Sequence, residues 1–289
     1  MEKQTHSFIA CDAEYAQSRA VIFGAPFDGT TSYRPGARFA PSAIRSESYG
    51  IETFSPYLEK DLADLCVFDA GDLELPIGDA SAVVDEIEKF SARILADGKV
   101  PLMLGGEHLV TLGAVRAAAK KYPSLRIVHF DAHCDLRGDY LGVKLSHATV
   151  LRRCHDIIGD NRIFQFGIRS GDRSEFEWAP DHVKMCRFGF KHMPGWISLI
   201  DRHPTYVTID LDILDPSCFP GTGTPEAGGV SFAELHEALR AVSALNIVGL
   251  DLVELSPPWD QSGASTALAC KLLREILLMF KYLGLGTRD

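Results

Sequence analysis

"LRIVHFDAHCD", residues 125–135, is an apolar run that breaks into Asp131, His133 and Asp135 at every second position. Alternate residues of an extended chain share one face, so three metal-ligating side chains point the same way as the strand ends. Three further runs close in a similar manner. "VPLMLGGEH" (100–108) ends on Glu107 and His108, "TYVTIDLDILD" (205–215) on Asp210, Asp212 and Asp215, and "NIVGLDLVEL" (246–255) on Asp251 and Glu254.

Four other apolar runs, 20–26, 65–71, 162–169 and 182–188, bring the predicted strands to eight. Several are apolar on successive residues, the pattern of strands covered on both faces. Helical patterns lie between many of them. Residues 80–98 place Val83, Ile87, Phe90, Ile94 and Leu95 on one stripe, with Gly98 as a stop. Residues 231–245 open on Ser231 with Glu234 three positions on, a capping box, and 265–284 form a long final helix closed by Gly284. Strands alternating with helices predict an α/β fold of three layers, a mainly parallel eight-stranded sheet with helices on both faces. We see no linker, repeat or low-complexity tract, so the expectation is one domain over residues 1–289. The coil-rich stretches 27–60 and 213–230 are long for plain connections and read as functional loops.

Composition narrows the classes. A net charge of −10 argues against a nucleic-acid surface, and no apolar run is long enough to span a membrane. Seven scattered cysteines without a C-x-x-C pair fit a reducing cytoplasm, and no secretory pattern opens the chain.

In an open parallel sheet, ligands bind outside the carboxyl ends of the strands. Asp131, Asp135, Asp210 and Asp212 would bring four negative charges there, and His108 and His133 two neutral nitrogens. Burying such a set is costly unless cations neutralise it. Two divalent ions about 3.5–4 Å apart would do so, and such pairs activate water near neutral pH. The oxygen-rich donors suit manganese or magnesium better than zinc. A lone D-x-D is usually a turn, and a lone His after Gly-Gly is usually structural; coincidence at three strand ends is what favours metal-dependent hydrolysis. Cys134, by alternation, faces away from the ligands. His129 reads as a core residue or a support to the ligands, and "GTGTPEAGG" (221–229) as a substrate-side loop. His6, His155, His182, His192, His203 and His236 read as surface residues without partners.

The stretches "GAPFDGTTSYRPGARFAPSAIR", "GGEH", "DAHCDLR", "LSHATVLRR", "TIDLDILDPSCFPGTGTPEAGG" and "DLVELSPPWD" together give the chain its identity at the family level. Over almost its whole length it resembles the ureohydrolase (arginase/agmatinase) family, most closely the bacterial agmatinases. The resemblance implies an eight-stranded parallel sheet and two Mn2+ ions that serve hydrolysis of a small cationic guanidino substrate, foremost agmatine, to urea and putrescine. It implies that His108, Asp131, Asp135 and Asp210 hold one ion and Asp131, His133, Asp210 and Asp212 the other. It further implies that Glu254 grips the guanidinium, that His147 transfers a proton and that Thr224 lies in the substrate loop. Relatives are usually trimers or hexamers. Arg137, after Asp135, is able to hold a carboxylate tail, which leaves guanidinobutyrase, arginase and formiminoglutamase as rivals. A mononuclear zinc deacylase of related fold and a non-catalytic scaffold are the more distant ones.

Overall fold

A computed structural model describes residue 1 and residues 6–280. Its strands are β1 (Ala20–Ala25), β2 (Phe54–Ser55), β3 (Lys60–Asp61), β4 (Val67–Asp72), β5 (Val100–Gly105), β6 (Arg126–Phe130), β7 (Ile163–Ile168), β8 (Lys184–Arg187), β9 (Thr205–Asp210) and β10 (Ile247–Val253). Eight of them form one sheet in the order β4-β1-β5-β10-β9-β6-β7-β8, parallel at every pairing. Each of the eight predicted runs overlaps one of these eight strands, with β4 reaching one residue beyond its run. The small antiparallel pair β2–β3 stands apart.

The unbroken apolar runs follow from the layers. Ile22, Leu104, Phe130, Ile209 and Leu252 face one core, with Ile44, Leu235, Leu239, Leu273 and Ile276 from covering helices. Those helices are α1 (Ala40–Glu47), α6 (Met193–Ile200), α7 (Phe232–Val242) and α8 (Ala264–Met279). The alternate residues Val21, Phe23, Met103, Ile127 and Val253 face a second core with Val84, Ile87, Val115 and Leu151. That side is covered by α2 (Ala80–Ala96), α3 (Thr111–Lys121), α4 (Val150–Ile158) and α5 (Arg173–His182). Both sets are apolar, and the polar side chains buried within the strands, such as His129, Gln165, Thr208 and Asp251, are hydrogen-bonded to one another or to their neighbours.

The expected helix signals operate. Val83, Ile87, Ile94 and Leu95 are buried, Asp79 caps α2 by accepting from the Ala82 N–H, and Gly98 takes φ +73° beyond its end. Ser231 and Glu234 cap α7 reciprocally, a device worth about 1 kcal/mol. Helix α8 ends at Met279, and Gly284 lies outside the described residues. Two expectations need correction. The stretch 27–60 holds a helix, α1, with Pro41 in its first turn. And three histidines taken for partnerless surface groups are not. His236 is buried, its ring 4.6 Å from that of Tyr57, while His155 and His182 are half-buried and share Asp160.

Candidate metal centre

The four central strands, β5, β10, β9 and β6, are neighbours, and their carboxyl ends bring the predicted residues together. His108 opens a helical turn after β5. That turn needs Gly106, because a Cβ there would lie 1.8 Å from the Phe27 carbonyl oxygen. Asp210 accepts from the Asp212 N–H at 2.9 Å and so caps the turn leaving β9. Asp135 and Glu254 take φ +53° and +65°, the left-handed region, although neither is glycine. Such conformations persist only where the surroundings impose them, and they gather at functional sites.

Around His108 the geometry is that of a ligand set. Its Nδ1 lies 3.2, 3.1 and 3.3 Å from Asp131 Oδ2, Asp135 Oδ2 and Asp210 Oδ2, yet is aligned for a hydrogen bond with none of them. A second set adjoins it: His133 Nδ1 is 2.9 Å from Asp212 Oδ2 and 3.5 Å from Asp131 Oδ1. Asp131 therefore turns one oxygen to each set. All four aspartates are buried, Asp131 and Asp212 completely.

The supports of His108 decide which of its nitrogens is bare. Its Nε2 lies 2.9 Å from Thr208 Oγ1, and that hydroxyl donates to Asp251 Oδ1 at 2.6 Å. A hydroxyl with its proton spent on Asp251 accepts from His108, so Nε2 carries the hydrogen and Nδ1 offers a lone pair to the carboxylates. Tyr206 completes the chain, its hydroxyl donating to Asp251 Oδ2 at 2.7 Å. Nδ1 and three carboxylate oxygens aimed at one point favour positive charge among them, a proton on the ring or a metal ion in its place.

The titration behaviour agrees. Burial, then the neighbouring Asp131, pushes the Asp135 carboxyl up to about 7. Burial, then Asp212 and Asp131, drives Asp210 well above its ordinary range, and burial with Glu107 does the same to Glu254. Burial opposes charging of His108 and His133, but the surrounding aspartates raise both well above the usual imidazole value. Asp131 differs, since its burial is outweighed by His129 and the other adjoining histidines, which hold it well below the usual carboxylate range; a divalent cation would likewise favour the ionised forms of Asp135 and Asp210. The donor set thus fits metal ions.

The other predicted residues flank this cluster. Glu254 accepts from the His108 N–H at 2.8 Å, and its own N–H donates to the Gly106 carbonyl. Thr224 donates to Asp212 Oδ2 at 3.3 Å. His147 lines a cavity of about 170 Å³ together with His133, Asp135, Arg137, Tyr140 and Thr224. Burial, then the nearby His133 and His108, lowers the His147 imidazole to about 4, and its Nε2 has no hydrogen-bond partner. Glu254 does not line that cavity; its Oε1 is held by the His108 N–H and its Oε2 lies near Gly223 of the 221–229 loop. Asp215 is drawn away from the cluster to accept from the N–H groups of Ser217, Gly228 and Gly229. Cys134 is buried and its thiol is pushed up, first by burial. His129 has the supporting place expected of it, with Nε2 2.7 Å from Asp131 Oδ2.

Sequence reasoning missed four supporting residues. Thr208 was readable, since it alternates with Asp210 and Asp212, but a threonine in a strand carries no signal of its own. Arg169 donates to the carbonyls of Asp212 and Glu226, both at 2.8 Å, and to that of Ile213 at 3.2 Å, fastening the 211–226 loop. Thr30 and Thr31, in the loop after β1, grip the buried Glu107.

Comparison with known proteins leads to the same place. A family model described as Arginase family matches residues 18–279. The agmatinase of Bacillus subtilis (strain 168) is 47% identical over 279 residues, covering 94% of this chain and 96% of its own. The chain belongs to the arginase family. The human mitochondrial guanidino acid hydrolase is 36% identical over 271 residues, covering 89% of this chain and 77% of its own. The solved agmatine ureohydrolase of Thermoplasma volcanium superposes with a TM-score of 0.88 at 36% identity, covering 96% of this chain and 95% of that one. Family membership accounts for the eight-stranded parallel sheet and for a His/Asp cluster able to bind metal ions at its carboxyl edge.

Proposed function

We propose that this chain is an agmatinase-type amidinohydrolase that hydrolyses agmatine to urea and putrescine with two manganese ions. The observation that carries the reading is the Asp131 carboxylate, which gives Oδ2 to the His108 set and Oδ1 to the His133 set. In this reading His108, Asp131, Asp135 and Asp210 hold one ion, and Asp131, His133, Asp210 and Asp212 the other. Oxygen donors outnumber imidazoles, which favours manganese over zinc. When bound, such a pair neutralises the four aspartates and makes a water between them nucleophilic near neutral pH.

The chain's own groups do the rest. Glu254, fixed by the His108 N–H, holds the guanidinium through charge-assisted hydrogen bonds. His147, kept neutral by its setting, takes up a proton and passes it to the departing amine. Thr224, tied to Asp212, orients the substrate side of the loop. Arg137 bears on the tail of the substrate. Its Nε lies 3.5 Å from Glu175 Oε2 and its Nη1 3.7 Å from Asp172 Oδ2, and its guanidinium rests 4.9 Å from the Tyr140 ring centroid. With two carboxylates already facing it, Arg137 is poorly placed to attract a third, which favours an aminoalkyl tail over a guanidino acid.

The single continuous sheet supports one domain over residues 1–289. Seven free thiols support a cytoplasmic enzyme. Assembly as a trimer or hexamer is carried over from the resemblance. The test is a substrate panel of agmatine, arginine, guanidinobutyrate and formiminoglutamate with manganese, scored by kcat/KM. Agmatine is expected to lead, and chelation or Asp210→Ala to abolish turnover. Full activity in chelated Asp210→Ala protein would overturn the reading.

A further inference from the structure

We infer a separate cation site on the opposite rim of the sheet, formed by His155, Asp160 and His182 and suited to zinc or another late first-row divalent ion. In a parallel sheet the covering helices run back from the carboxyl ends of the strands to the amino ends. Helix α4 returns to the start of β7, and α5 to the start of β8. His155 near the end of α4, Asp160 in the turn into β7 and His182 at the last position of α5 therefore meet far from the aspartate cluster.

Their donor atoms converge. His155 Nε2 lies 2.7 Å and His182 Nδ1 2.6 Å from the same oxygen, Asp160 Oδ1. The rings are held in place. Trp178 stacks on His182 with centroids 4.1 Å apart and planes at 15°, and meets His155 edge-on at 4.7 Å. Arg152 covers the indole from 3.9 Å. The backbone is fixed as well, since the Asn161 N–H donates to the His182 carbonyl at 2.7 Å.

A second observation separates a metal site from a simple hydrogen-bonded trio. His155 Nδ1 is buried without a hydrogen-bond partner, and it lies 3.9 Å from Asp156 Oδ1. If neutral His155 donates from Nε2 to Asp160, Nδ1 is left as a bare lone pair beside a carboxylate, which is unfavourable. With a cation on Nε2 the hydrogen moves to Nδ1 and turns toward Asp156, the usual support of a ligand histidine. Zinc–ligand bonds of about 2.0–2.1 Å in a tetrahedron separate ligand atoms by about 3.3 Å. Asp160 must then retreat by roughly 0.6 Å on that geometry; its side chain is 57% exposed and free to do so. Two imidazoles with one carboxylate rank zinc, nickel and copper above manganese, the reverse of the oxygen-rich cluster.

The experiment uses the full chain loaded with manganese, dialysed against micromolar zinc, with bound metal counted by elemental analysis. Wild type is compared with Asp160→Asn and His182→Gln. Because zinc also enters the main cluster, the difference between proteins is read rather than the total. Each variant is expected to hold one ion per chain fewer, with manganese-supported turnover before zinc unchanged. Copper provides a second readout: it should quench Trp178 emission in wild type and not in His182→Gln, with Trp178→Phe as the reference. Equal metal counts in all three proteins, or zinc uptake that never saturates, overturns the site.

Discussion

Replacing Thr208 with valine tests the argument that fixes the metal-facing nitrogen of His108. The change keeps the side-chain outline but removes the acceptor for His108 Nε2–H, 2.9 Å away, and the donor to Asp251, 2.6 Å away. Each buried group left without its partner costs about 1–3 kcal/mol, so with two such groups the metal-free protein should lose roughly 2–6 kcal/mol. The metal-loaded protein should suffer a distinct effect. With no acceptor at Nε2 the imidazole hydrogen shifts toward Nδ1, where it competes with the ion. Loss of a group supporting a ligand histidine typically weakens metal binding by about 10–100-fold, or about 1.4–2.7 kcal/mol. Manganese affinity is read by equilibrium dialysis, and stability by urea unfolding in chelator. Thr208→Ser, which keeps the hydroxyl, should restore the affinity. If Thr208→Val binds manganese as tightly as wild type while losing stability, the hydroxyl is only a packing element and the tautomer argument is wrong.

Other outcomes follow from the same geometry. Glu254→Gln keeps an acceptor for the His108 N–H but removes the charge opposite a guanidinium. Its kcat/KM for agmatine should fall by roughly 10–100-fold with metal content intact, as read by urea release and elemental analysis. His147→Ala should lower kcat by about 10²–10⁴-fold without loss of metal; the opposite pattern would move His147 among the ligands. Acid stability offers a check away from the centre. Burial alone would raise the Asp260 carboxyl, but donors from Ser262 and Ser265 outweigh it and hold it at about 2. A carboxyl lowered on folding stabilises the protein above its unfolded pKa, near 3.8, and that stability is lost as pH falls through about 2. Between those values, urea midpoints should fall more steeply for wild type than for Asp260→Asn.

The sheet was legible because burial on both faces leaves a blunt signature, runs such as "AVIFGA" with no polar interruption. The His/Asp cluster was legible for the complementary reason, since Asp131, His133 and Asp135 break such a run where the strand leaves the core. Contacts made between helices were not. Nothing in the spacing of His155, Asp160 and His182 indicates that α4 and α5 lie side by side with Trp178 between two rings. Nor does any local pattern announce that Glu254 adopts a left-handed backbone, because glycine is the residue that ordinarily marks one. Arg169 was overlooked since its partners are main-chain carbonyls, which every residue possesses.

The last strand among the described residues, β10, enters the middle of the sheet, between β5 and β9. Without it the other seven strands would divide into two slabs, β4-β1-β5 and β9-β6-β7-β8, each with an open inner edge. His108 belongs to the first slab, and the five other side chains of the ligand set to the second. A chain ending before Ile247 would hold all six groups but lack the strand that places their two slabs side by side in the sheet. Placing β10 between them both joins the halves and covers the two inner edges, so the His/Asp cluster comes together only with the sheet's central strand in position.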